Sequence, residues 1–199
     1  MTATPFLLAQ ISDLHVTSRG QIAYRSVDTV GMVRACSSAL GEEIGWRGFL
    51  VPQLAKANGY ATTALISGLI WSFWHYPILI FADYNSGTPI WYGLTCFTVM
   101  VVGLSFVFAW MRLKSGSLWT GVLLHGSHNL FIQGFFDPIT ANTGHTKYII
   151  SEFGAALPLI SIPFAIYFWS KRGELPGREA SVASATESVP NSNPSPLER

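Results

Sequence analysis

The chain has 199 residues, of which 49% are hydrophobic and only 12% charged, against about a quarter charged in soluble domains. That balance excludes an ordinary soluble domain and points to a bilayer. The net charge of +1 gives no sign of a nucleic-acid partner, and Cys36 and Cys96 lack metal-ligand spacing, so both read as reduced packing residues.

Residues 1–38 differ from the rest. The apolar run Phe6 to Ile11 is too short for a secretory signal and has no basic lead. It ends in Ser12-Asp13-Leu14-His15 and reads as a buried strand carrying an acid and an imidazole at its tip. Asp13-x-His15, with the Arg19 to Thr29 stretch, resembles the opening of calcineurin-like metallophosphoesterases. That family's later ligand segments, Gly-Asp-x-x-Asp and Gly-Asn-His, do not follow. A dinuclear site needs them, so we expect an orphan strand, a fusion or a gene remnant, and not a second activity.

From Ala39 the pattern changes. Leu40 to Leu54 sets Glu42, Glu43 and Arg47 among apolar residues, where an unpaired charge costs several kcal/mol. On a helix Glu43 and Arg47 stand four apart on one face and pair, while Glu42 is turned by roughly 100° onto another face and stays free. Four apolar stretches follow: Ala61–Phe81, Ile90–Met111, Leu118–Phe136 and Ile149–Trp169, each near the ~20 residues that cross a hydrocarbon core. The expected fold is therefore an all-α membrane protein, a bundle of four transmembrane helices plus a shorter motif-bearing helix, with residues 39–170 as its core. Residues 171–199, rich in Pro, Ser and Glu, are expected to form a disordered cytoplasmic tail.

Two polar pairs sit inside these spans at helical i,i+4 spacing, Trp71 with His75 and His125 with Asn129. Polar and ionisable side chains at membrane depth are candidates for function. Trp71 and Trp74 lie too deep to be interface anchors and read as walls of a pocket. His128 is expected to make an interhelical hydrogen bond, His145 to be solvated, and Glu152 to be an interfacial charge or local helix pair outside the site. Arg34, Arg47, Lys56, Arg112, Lys114, Lys171 and Arg172 cluster on one side of the spans. The positive-inside rule then places both termini in the cytoplasm of a multi-pass cell (inner) membrane protein. Counting about 1.5 Å per residue from the span ends puts His75 roughly 10 Å deeper than His125, so a shifted span, a break at Pro77 or helix tilt must bring them level.

Glu42-Glu43-x-x-x-Arg47, Trp71-x-x-x-His75 and His125-x-x-x-Asn129, in this order on consecutive apolar segments, resemble the three-motif signature of the CPBP intramembrane endopeptidases, the CAAX-protease and bacteriocin-processing family related to the type II CAAX prenyl endopeptidase. The second motif more often has Phe where this chain has Trp71. The resemblance implies that Glu42 and His75 activate a water, that His125 and Asn129 stabilise the transition state, and that Glu43, Arg47 and Trp71 support them. It also implies a membrane-associated or lipidated protein, or a peptide, as substrate.

The residue types suit that chemistry. Peptide hydrolysis needs a base for water and donors for the oxyanion, and Glu42 with His75, and His125 with Asn129, supply them without a cofactor. Zinc is the rival: Glu42, His75 and His125 are also a two-His, one-Glu catalytic set. Asn129 is a poor zinc ligand and no His-Glu-x-x-His is present, so the metal-free glutamate mechanism is favoured. The alternative function is an inactive membrane scaffold or immunity protein that keeps these residues for packing. Nothing in the sequence sets an oligomeric state.

Overall fold

The computed structural model describes residues 37–82 and 86–176; Asp13, His15, Cys36 and most of the expected tail lie outside them. Every regular element among the described residues is helical. Helix α1 (37–57) is followed by α2 (Tyr60–Phe81), α3 (Ile90–Ser115), α4 (119–139) and α5 (Ala156–Ser170). α2 packs on α3 and α3 on α5, so α3 is the central helix. The chain is an all-α membrane protein.

Two of the four expected spans, α2 and α3, are long and apolar enough to cross a membrane. The other two depart from expectation. In α4 the α-helix covers only Trp119–His128 and continues as a wide π-helical run, Asn129–Phe136. α5 starts at Ala156 and not at Ile149; the chain before it makes a short 3₁₀ turn at Thr146–Tyr148 and then a non-helical stretch that includes Glu152. Apolar content alone does not distinguish a helix from a buried irregular segment, which accounts for that error.

Both wide runs have a local cause. One covers Ile44–Leu50 in α1 and ends beside Pro52, the other covers Asn129–Phe136 and ends beside Pro138. Proline has no N–H to give to the carbonyl four residues back. Immediately before each proline the helix has shifted register, with the Val51 N–H bonded to the Trp46 carbonyl and the Asp137 N–H to the Ile132 carbonyl. Arg112 of α3 then donates from Nε to the Arg47 carbonyl at 2.8 Å, satisfying one acceptor of the widened turn. Pro77, in contrast, lies inside α2 without breaking it.

Small residues let the helices close on one another, as membrane packing favours. A Cβ on Gly68 would lie 2.9 Å from Ser105 Oγ, and one on Gly103 only 2.5 Å from Ser161 Oγ. Ser72 Oγ donates to Thr98 Oγ1 at 3.0 Å, and Tyr60 OH to the Phe106 carbonyl at 2.7 Å, which adds polar ties between α2 and α3. α3 ends at Gly116, whose φ of +68° is the left-handed turn that glycine allows, its N–H closing on the Arg112 carbonyl. Trp71, Leu79, Phe97, Met100, Phe108 and Phe153 are among the residues of the main core cluster. Phe73, Ile78, Phe81, Leu159 and Ile166 face outward, as residues that meet acyl chains do.

Candidate active site

Glu43, just before the wide run of α1, and Arg47 within it both turn inward. Arg47 Nη1 bonds Glu43 Oε1 at 2.7 Å, with side-chain exposures of 3% and 0%. The guanidinium lies 4.1 Å from the Trp71 ring centroid and 3.9 Å from that of Phe108, held between two aromatic faces. His125 of α4 reaches the same carboxylate oxygen, Nδ1 to Oε1 at 2.9 Å. Glu43 Oε2 has no hydrogen-bond partner among the described residues, and Gly121 makes room for it: a Cβ there would lie 2.6 Å away. Glu43 thus joins α1 to α4, a contact across 82 positions.

Glu42 faces the other way. Its Oε2 accepts from Trp71 Nε1 at 3.2 Å and from Trp46 Nε1 at 3.5 Å, and lies 3.9 Å from His75 Nε2. Both side chains keep some solvent access, 29% for Glu42 and 24% for His75. His75 Nδ1 stands 2.9 Å from the Trp71 carbonyl. A carbonyl only accepts, so Nδ1 donates to it and Nε2 is the nitrogen that faces Glu42.

These groups border one cavity of about 290 Å³, with Glu42, His75, His125 and Asn129 all among its lining. The depth difference counted from the sequence does not separate the two imidazoles. The Trp71 ring centroid is 6.3 Å from that of His75 and 5.3 Å from that of His125. Trp71 is a cavity wall as expected, whereas Trp74, expected to be one too, is 70% exposed and not among the lining, its ring 6.2 Å from that of Trp46.

A further sequence expectation changes. Glu152 is not an outlying charge: it lines the cavity and its Oε1 is 2.9 Å from His128 Nε2. Burial pushes its carboxyl up, but the hydrogen bond and charge of His128, a bond from Gln133 and the charge of His75 together outweigh that and hold it below the usual range. Its signal was visible as a lone acid in an apolar stretch. Trp46 was also overlooked, although it stands four residues after Glu42 on the same helix. As for a metal, no three His, Cys, Asp or Glu side chains among the described residues converge as a ligand group.

Residues 29–131 match the family described as Type II CAAX prenyl endopeptidase Rce1-like. The chain belongs to that family. Within the Rce1-like match fall all three motifs, from Glu42 to Asn129. CAAX prenyl protease 2 of Methanococcus maripaludis is 31% identical over 119 residues, covering 56% of this chain and 41% of that protein. The chain therefore spans about two fifths of the length of this curated relative. No solved structure matches it.

Proposed function

We propose that the chain is an intramembrane endopeptidase that hydrolyses peptide bonds of membrane-associated or lipidated proteins or peptides with a glutamate-activated water. The observation that carries the reading is the 3.9 Å approach of Glu42 Oε2 to His75 Nε2 at the edge of a cavity also lined by His125 and Asn129. Two acceptors at that distance can hold one water. Glu42 takes its proton as the oxygen attacks the scissile carbonyl, and the proton passes to the leaving amine with His75 as the relay. The oxyanion is met by the Asn129 carboxamide and by His125 Nε2. For Nε2 to donate, the His125 ring must be protonated on both nitrogens, and the Glu43 carboxylate stands where it accepts from Nδ1. The reaction so written uses no cofactor. With both termini in the cytoplasm of the cell membrane, the substrate reaches the cavity from the cytoplasmic side.

The test is cleavage of a membrane-tethered reporter by the full chain in liposomes. Glu42→Gln is expected to lower kcat by about 10²–10⁴ with insertion unchanged, and turnover should persist in a chelator. Full biological activity of Glu42→Gln would instead support the scaffold reading.

A further inference from the structure

The three motifs end at Asn129 and the family match at residue 131, yet the cavity has a polar wall beyond them. Asn129 opens the wide run of α4, which continues the α-helix Trp119–His128 without a break. Its own N–H is shared between the His125 and Gly126 carbonyls. A π-helical turn is rare because it is less favourable than an α-turn, so the direction of the Asn129 carboxamide needs support from outside the helix.

Glu152 supplies that support at the start of the run. It binds His128, one residue before Asn129, as a pair whose side chains are 16% and 10% exposed. Gln133, four residues after Asn129, lines the same cavity as Glu152. The next residue, Phe153, is buried and stacks on Phe97 with ring centroids 5.9 Å apart, and Phe97 lies 5.3 Å from the His75 ring. One short non-helical stretch thus backs both halves of the site.

We propose that Glu152 is a positioning residue, which clamps the start of the wide run of α4 through His128 and so fixes the carboxamide of Asn129 toward the cavity. For its activity readout the inference rests on the endopeptidase reading; for its structural readout it does not. The experiment uses the full chain in liposomes with Glu152→Ala, Glu152→Gln, His128→Ala and the Glu152→Ala/His128→Ala double variant. Amide hydrogen exchange over 129–136 is measured beside cleavage of the membrane-tethered reporter.

Glu152→Ala is expected to speed exchange there by about tenfold or more, and to lower kcat by about tenfold with KM within about threefold. Glu152→Gln, whose amide oxygen still accepts from His128, should recover both to within about threefold. The double variant should be no worse than His128→Ala alone, since the two act as one unit. Unchanged exchange over 129–136 in Glu152→Ala overturns the proposal whatever cleavage does, as does a rise in KM with kcat intact. If Glu42→Gln leaves cleavage untouched, the endopeptidase reading fails and the exchange measurement still decides this one.

Discussion

Replacing Arg47 by Met removes the guanidinium paired with Glu43 while keeping an apolar stem of similar length. Both partners are almost wholly buried and their bond is 2.7 Å, so Glu43 would be left charged in an apolar setting with one oxygen already unpartnered. Breaking a buried pair from one side costs about 3–5 kcal/mol. Losing the guanidinium from between Trp71 and Phe108 adds about 0.5–2 kcal/mol. The expected destabilisation is about 4 kcal/mol or more, read by tryptophan fluorescence during titration with SDS from mild detergent. Glu43→Gln/Arg47→Met takes away the stranded charge and should recover at least about 2 kcal/mol of that. A cost below about 1 kcal/mol for Arg47→Met, or a double variant weaker than the single, would refute the argument that the pair neutralises α1.

Because the folded Glu152 carboxyl lies below its ordinary range, its pairing with His128 contributes stability that is full above that range and is lost as pH falls through the folded value. Thermal melting of the full chain in detergent should therefore show an acid-side loss that Glu152→Gln flattens. Gly103→Ala puts a methyl 2.5 Å from Ser161 Oγ and 3.1 Å from the Ser161 backbone carbon, which forces α3 from α5 and should cost about 1–3 kcal/mol in SDS titration. Trp71→Phe keeps the ring contacts but loses the indole bond to Glu42; reporter cleavage should fall by less than about tenfold with stability nearly unchanged. A loss as large as that of Glu42→Gln would show that the indole N–H takes part in the chemistry.

Local rules carried much of the candidate site. The i,i+4 spacing of Glu43 and Arg47 foretells their pair, and the apolar run starting at Ala61 foretells α2 to within a residue at its start. What was not legible depends on distance along the chain or on backbone register. The His125 to Glu43 bond spans 82 positions and the His128 to Glu152 bond 24, and no periodicity encodes either. The widened turns were hidden for another reason: Pro52 and Pro138 announce a missing donor, but not whether a helix answers by stopping, kinking or changing pitch. Depth counted along straight helices separated His75 from His125, whereas Trp71 touches both.

The carboxylate of Glu43 draws one partner from its own helix and the other from α4. During synthesis α1 therefore emerges already carrying its counter-ion and can enter lipid as an electrically balanced piece. His125 is translated 82 residues later, so the histidine that closes this knot arrives after α2 and α3 have been made. The burial of Glu43 is thus completed from outside α1, and the lining of the cavity is complete only when Glu152 has followed.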